Sequence, residues 1–159
     1  MQIREAAVDE HSQALEIIRQ AFVEYEAILD PPSSVGWETV ESFRSRMGDG
    51  GVLVVESHNQ LIGCVLYERR GSDTLYLGRL SVLPAYRGRG LAKQLIVAVE
   101  AIAQAEQRQI ITIGVRLALP HLIAMYQQLG YIITEYHSHQ GYPEPTYVTM
   151  QHQLRTTAA

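Results

Sequence analysis

Two periods of apolar residues succeed one another along the chain, and the points where one gives way to the other mark out its elements. Leu15, Ile18, Ala21, Phe22, Tyr25 and Leu29 recur at three- and four-residue steps, which places them on one face of a helix. A short strand over residues 2–8 precedes it, Asp9 is placed to cap it, and Asp30-Pro31-Pro32 stops it. After a polar loop with Ser33, Ser34 and Gly36, the residues Trp37, Val40, Phe43 and Met47 fall on one side of a second helix over residues 37–47. Glycines at 48, 50 and 51 then break the chain. Val52-Leu53-Val54-Val55 and residues 61–67 read as strands, joined at His58-Asn59-Gln60 as a hairpin, because β-branched runs bounded by turn residues favour that form. Gly71-Ser72-Asp73 returns the chain antiparallel into a strand over residues 75–83.

That strand carries an irregularity. Leu75 and Leu77 share one face, but Leu80 and Val82 continue with the opposite parity. A slip of one residue at Gly78-Arg79 is the mark of a β-bulge, which leaves backbone groups unpaired with the next strand and open to an extended ligand. A glycine-rich loop follows, then a helix whose stripe of Leu91, Leu95, Val99 and Ile102, widened by Ile96 and Ala103, ends near Gln107. Ile110 to Val115 is apolar on both faces, as a central strand covered by helices should be. Pro120 suits the first position of the next helix, and Gly130 the left-handed residue after Leu129. Tyr131 to Tyr136 and Tyr147 to Leu154 are two last strands around the loop at residues 141–145. The pattern predicts a mixed α+β layered fold in one domain over residues 1–155, with 156–159 a flexible tail.

Length and composition narrow this further. At 159 residues and 17.8 kDa the chain has room for one sizeable core. With 47% hydrophobic and 19% charged residues it is no disordered chain. A net charge of −4 argues against a nucleic-acid partner and would tolerate or attract a cationic amine. The single cysteine, Cys64, excludes an intramolecular disulfide, and its neighbours Ile62, Val65 and Leu66 suit a buried small residue better than a nucleophile. Charged residues from Arg4 to His11 interrupt any signal peptide and no apolar run reaches membrane length, so the expected compartment is the cytoplasm, with no membrane partner.

The chemistry gathers at residues 75–93. Gly88 and Gly90 let the loop take backbone angles closed to other residues, and the N–H groups of residues 88–92 lie at the positive end of a helix dipole with no intrahelical acceptors. Arg87, Arg89 and Lys93 add charge nearby, so a pyrophosphate is the expected guest. Two phosphate loops of other folds do not fit: a dinucleotide fingerprint would need glycine or alanine where Lys93 stands, and no G-K-[ST] follows.

Arg87-Gly88-Arg89-Gly90-Leu91-Ala92 matches the [QR]-x-x-G-x-[GA] signature of the GNAT superfamily of acyl-CoA-dependent N-acyltransferases. Leu80-Ser81-Val82-Leu83-Pro84 resembles the bulged fourth strand of that family, and residues 124–131, Ala-Met-Tyr-Gln-Gln-Leu-Gly-Tyr, resemble its later tyrosine helix. The resemblance covers roughly the central and C-terminal two-thirds. It implies a twisted, mostly antiparallel sheet of six to seven strands with helices on both faces, splayed between the fourth and fifth strands. It also implies acetyl-CoA lying in the gap as acyl donor, and an acceptor site bordered by the region around residues 33–47.

The implied reaction is transfer of an acetyl group to a primary amine, on a small molecule or a protein, by direct attack and with no metal. The loop of Arg87, Gly88, Arg89, Gly90, Leu91 and Ala92 would hold the pyrophosphate. Backbone groups of Leu80, Ser81 and Val82 would pair with the pantetheine arm, and the Val82 N–H would face the oxyanion. Tyr126 matches the tyrosine that protonates the departing thiolate, although its spacing with Leu122 and Leu129 also fits a core position. The base is left open. The glutamate that some relatives carry is replaced by Gly114, and a frequent asparagine by Leu119. Glu68, His137, His139, Glu24 or a water chain remain. His137 and His139 alone make a weak metal pair, and Tyr136, Tyr142 and Tyr147 could line the acceptor pocket or be strand aromatics. Gly114 and Leu119 keep a second function in play, a non-catalytic acyl-CoA-binding or regulatory module. A protein that retains only the fold as an interaction surface is a third. Exposed late strands leave room for a homodimer.

Overall fold

The computed structural model describes residues 1–154; the expected tail at 156–159 lies outside the described residues. In chain order the elements are β1 (Gln2–Glu5), α1 (His11–Phe22), α2 (Val40–Met47), β2 (Gly51–Ser57), β3 (Gln60–Arg70), β4 (Thr74–Val82), α3 (Leu91–Ala105), β5 (Ile110–Arg116), α4 (Pro120–Gln128), β6 (Ile132–His137) and β7 (Tyr147–Gln153). The seven strands form one sheet in the order β1-β2-β3-β4-β5-β7-β6. Every neighbouring pair is antiparallel except β4 and β5.

That exception shapes the molecule. The parallel pairing runs only from Thr74, Leu75 and Tyr76 to Ile110, Ile111 and Thr112. Past that point the strands part, as expected of a sheet splayed between its fourth and fifth strands. β5 stays paired with β7 along its whole length, Ile110 to Arg116, while β4 keeps only β3. The bulge sits where the parity slip predicts it: Leu66 faces Gly78 and Cys64 faces Ser81, so Val65 alone stands opposite Arg79 and Leu80. Arg79 takes φ 53°, a left-handed conformation uncommon outside glycine, and the extra residue bends the strand.

The helices cover both faces. Val52 and Val54 of β2 pack with Ile17, Ile18, Phe43 and Met47 of α1 and α2. The alternate residues Leu53 and Val55 pack with Leu91, Leu95, Ile96 and Val99 of α3. Burial on both sides explains why this strand reads as a continuous apolar run. Each of those fully buried α3 side chains contributes about 1.5–3 kcal/mol, which fixes the start of the helix, and hence the loop before it, against the sheet.

Three expectations for the N-terminal third are corrected. α1 ends at Phe22, followed by a 3-10 turn over Val23–Tyr25. The three-residue step from Phe22 to Tyr25 suits that tighter turn as well as an α-helix. Asp9 does not cap α1; Glu10 accepts the Ala7 N–H at 2.8 Å and pairs with Arg4, also at 2.8 Å. Trp37 ends a separate 3-10 turn, Ser34–Trp37, and is 70% exposed. α2 starts later because Thr39 caps it, accepting the Ser42 N–H at 3.1 Å.

A charged clasp ties the far end of α3 to the sheet. Glu106 receives Arg69 at 2.7 Å and Arg108 at 2.8 Å, and Arg108 also donates to the Thr74 carbonyl at 2.9 Å. Hydrogen bonds from Arg69 and Arg108 hold the Glu106 carboxyl at about 2, below its ordinary 4.5. A depressed carboxyl stabilises the fold above its unfolded value, and that contribution is lost as pH falls through the folded one. Glu106→Gln is therefore expected to lower stability at pH 7 and to flatten the loss of stability between about pH 4.5 and about pH 2, read by urea denaturation across that range. An unchanged pH slope would show that the clasp contributes nothing.

Candidate active site

The chain leaves β4 through a 3-10 turn at Pro84–Tyr86 and enters the glycine loop. Gly88 and Gly90 have φ of 77° and 76°, angles that need glycine, and a Cβ at either would meet nothing within 4 Å. They are required by backbone conformation, and the space above them is open. Gly90 stands before α3 with no side-chain cap, and the first helical bond is from Gln94 N–H to the Gly90 carbonyl at 3.1 Å. The N–H groups of Leu91, Ala92 and Lys93 thus have no intrahelical acceptor. Arg89 and Lys93 are exposed beside them, with the Arg89 guanidinium 5.2 Å from the Tyr86 ring. Arg87 turns the other way: it pairs with Glu24 at 2.6 Å and donates to the carbonyls of Ala21 and Val82, each at 3.3 Å. It fastens the loop to the end of α1.

The last residues of β4 present their backbone to the gap. Leu83 N–H donates to the Ile62 carbonyl at 2.9 Å, one position beyond the Gly63–Val82 pair. Antiparallel partners alternate between hydrogen-bonded and non-bonded, so the Val82 N–H and carbonyl face away from β3, toward the side β5 has vacated. The same alternation assigns the Ser81 backbone to Cys64. The Ser81 hydroxyl donates to the Arg79 carbonyl at 3.1 Å.

Between the diverging strands, the α1–α2 connection and α4 lies a cavity of about 630 Å³ whose lining includes Leu80, Gly114, Tyr126 and His139. Tyr126 is 6% exposed, packs edge-on to Tyr131 with centroids 5.5 Å apart, and its hydroxyl has no hydrogen-bond partner among the described residues. Burial, and secondarily Tyr76, pushes its pKa up, so the phenol is protonated at neutral pH. A Cβ at Gly114 would meet nothing within 4 Å: the wall is bare there.

Of the four side chains left open as a base, only His139 lines this cavity. Its Nδ1 is bonded to the Thr146 hydroxyl, which leaves Nε2 available, and burial followed by the charge of Arg116 pushes its pKa down. Glu24 is taken by Arg87, and Glu68 pairs with Arg70 at 2.8 Å. His137 bonds the Thr149 hydroxyl at 2.7 Å and stacks on Tyr147. Cys64 is fully buried, with its thiol pushed up to about 12 by burial. Among the described residues no three potential metal ligands cluster.

Sequence reasoning missed a pair that shapes this cavity. Glu38, 4% exposed, accepts from Arg46 at 3.0 Å and Arg79 at 3.4 Å on the same oxygen, and from Ser42 at 2.8 Å. Burial pushes the Glu38 carboxyl up, but the bonds from Ser42 and Arg46 and the charges of Arg46 and Arg79 outweigh it and hold it low. The Nε of Arg79 is buried without a partner, an omission that costs about 1–3 kcal/mol. The parity slip pointed to Arg79, but no local signal marked Glu38 as its counter-ion.

The sequence model of the acetyltransferase (GNAT) family matches residues 13–131. No curated protein sequence matches the chain. Among solved structures, the ribosomal-protein-S18-alanine N-acetyltransferase of Escherichia coli is similar at TM-score 0.79 and 16% identity, over 99% of this chain and 96% of that one. The PaiA N-acetyltransferase of Thermoplasma acidophilum, solved with coenzyme A, gives TM-score 0.78 at 17% identity, over 96% and 98%. YncA of Salmonella typhimurium, solved with acetyl-CoA, gives 0.69 at 22% identity, over 100% and 96%.

Removing Glu38 leaves Arg79 uncompensated in the wall. Glu38→Ala is expected to cost about 3 kcal/mol of unfolding free energy, the range for breaking a buried pair, measured by chemical denaturation. A loss under about 1 kcal/mol would place the pair among ordinary surface contacts.

Proposed function

The chain belongs to the GNAT family of acetyltransferases, and from that premise we propose that it transfers the acetyl group of acetyl-CoA to a primary amine by direct attack. One observation carries the reading: β4 loses its neighbour after Tyr76, turns the Val82 N–H to the gap while its carbonyl is taken by Arg87, and runs into an uncapped helix start. Gly88, Arg89, Gly90, Leu91 and Ala92 would hold the pyrophosphate on main-chain amides, and Arg87 would position that loop rather than contact the donor. Leu80, Ser81 and Val82 would flank the pantetheine arm. We place the reaction in the cytoplasm, which suits the reduced Cys64 thiol.

The thioester supplies an electrophilic carbonyl: the amine nitrogen forms the C–N bond, the C–S bond breaks, and coenzyme A leaves as a thiolate. The Val82 N–H is oriented to stabilise the oxygen anion formed on the way, a role worth about 2.7–4 kcal/mol by comparison with other such donors. Tyr126 gives its phenolic proton to the sulfur. His139, neutral at pH 7 because its pKa is pushed below 6.5, takes the proton that the attacking nitrogen sheds. The bare wall at Gly114 favours a second reading, a module that binds acyl-CoA without turnover.

Release of free thiol from acetyl-CoA across a panel of amines separates the two: turnover supports the enzyme, and donor binding without turnover supports the module. Tyr126→Phe is expected to lower kcat by about 10²-fold or more with little change in the KM for acetyl-CoA; an unchanged kcat would return Tyr126 to packing alone. His139→Gln is expected to remove the acid limb of the kcat profile, which for this group lies below pH 6.5. Gly90→Asp, which puts a carboxylate at the loop, is expected to abolish the calorimetric signal of coenzyme A binding, and retained binding would move the donor site elsewhere.

A further inference from the structure

The acceptor side of the cavity carries a charge opposite in sign to the chain as a whole. Net charge is −4, yet the lining includes Arg46, Arg79 and Arg116 and not one aspartate or glutamate. Glu38, behind the wall, meets two of these guanidinium groups with a single carboxylate. Asp30, which also accepts from the Tyr142 hydroxyl, lies close enough to Arg116 to offset its charge, so the excess falls on the other two. One positive charge of the Arg46–Arg79 pair is left over.

The hydrogen-bonding capacity of the pair is also left over. Arg79 spends Nη2 on Ser34 at 2.7 Å and on Glu38, while its Nε is buried with no acceptor. Arg46 spends Nε on Glu38, and its two outer nitrogens make no hydrogen bond among the described residues. Both groups reach the same Glu38 oxygen and both line the cavity; Arg79 Nε is shielded from it, so the donors left for a guest are Arg79 Nη1 and the outer nitrogens of Arg46. A cationic polyamine would find no carboxylate there to bind and three guanidinium groups to repel it. An anion would meet charge-assisted donors of the kind that grip carboxylates in pairs.

We propose that the acceptor is an amine that carries a carboxylate, a free amino acid or a close analogue, with its anion held by Arg79 and Arg46. This rests on the acetyl-transfer reading for what happens to the amine, but not for the anion site. The cavity suits such a guest. About 630 Å³ is small-molecule size, and Phe22, Leu29, Leu119 and Leu122 supply an apolar wall for a side chain.

The test uses the coenzyme A complex of the whole protein and matched pairs of L-amino acids and their C-terminal amides, with phosphoethanolamine and spermidine as further arms. Binding is read by calorimetry and by the fluorescence of Trp37, which lines the cavity and is the only tryptophan. At least one acid is expected to bind about 10-fold or more tightly than its amide, and Arg46→Gln to erase that difference while leaving the amide unchanged. Arg46 is the variant of choice because its side chain is 37% exposed, against 14% for Arg79, and because Gln keeps a donor for Glu38 while Arg79 remains as its counter-charge. Equal or tighter binding of amides or spermidine overturns the proposal, as does no binding by any acid. Tighter binding of phosphoethanolamine replaces the carboxylate by a phosphate and overturns it too. Thiol release from acetyl-CoA is scored separately. Acids that bind but are not acetylated leave the anion site standing and sink the transferase reading; amides acetylated in preference to acids do the reverse.

Discussion

The rest of the structure depends on β4 parting from β5. A parallel pair inside a sheet ordinarily continues as long as both strands do, because each rung satisfies a backbone donor and an acceptor that would otherwise need other partners. Here the rungs stop after Tyr76 and Thr112, although β4 runs on to Val82 and β5 to Arg116. β5 keeps its full pairing with β7, so the opened edge is paid for on the β4 side of the gap alone. What that leaves is the fixed N–H of Val82, pointing at a space deep enough for a ligand and needing no side chain to specify it.

The parting is set by one residue inserted into β4 and by what secures it. Arg79 takes a left-handed backbone angle and has a buried side chain, two costs that a surface loop would not bear. They are offset because its guanidinium reaches Ser34 and Glu38 in the connection between α1 and α2. Bulge and connection therefore hold each other in place, and the same contact that bends β4 also builds the opposite wall of the cavity. Arg87 makes a parallel tie on the other side, joining the glycine loop to the end of α1 through Glu24 and the Ala21 carbonyl. The first helix is thus the common support for both halves of the site.

Much of this was legible because it is local. A period of two shows a bulge as a change of parity, so Leu75, Leu77, Leu80 and Val82 located the slip without any knowledge of the partner strand. Gly88 and Gly90 marked a loop because their backbone angles exclude other residues, and Gly130 marked the end of α4 in the same way, at φ 97°. The illegible parts are those in which direction or distance decides. Sequence reports the charge of Arg87 but not that it points inward. The spacing of Phe22 and Tyr25 fits an α-helix and a 3-10 turn equally, and Trp37 continues an apolar stripe that the Thr39 cap interrupts. Glu38 and Arg79 are partners across 41 positions, and His139 joins the cavity from a loop whose course no periodicity sets.

The electrostatics show why global charge is a poor guide to a site. A net charge spread over the surface is screened within about 8–10 Å of salt solution, whereas a buried guanidinium acts at short range through a medium of low effective dielectric. Glu10, Glu56 and Glu106 contribute to the total of −4 but are each matched to arginines outside the cavity, so they leave its interior untouched. Inside, burial and the arginines oppose one another on Glu38 and act together on His139. Burial and Arg116 push the His139 pKa down, and burial pushes that of the Tyr126 phenol up, so a neutral imidazole and a protonated phenol coexist in one cavity at neutral pH. The same seclusion makes an unpaired guanidinium nitrogen at Arg79 costly to keep, a cost that the bonds of the same side chain to Ser34 and Glu38 help to offset.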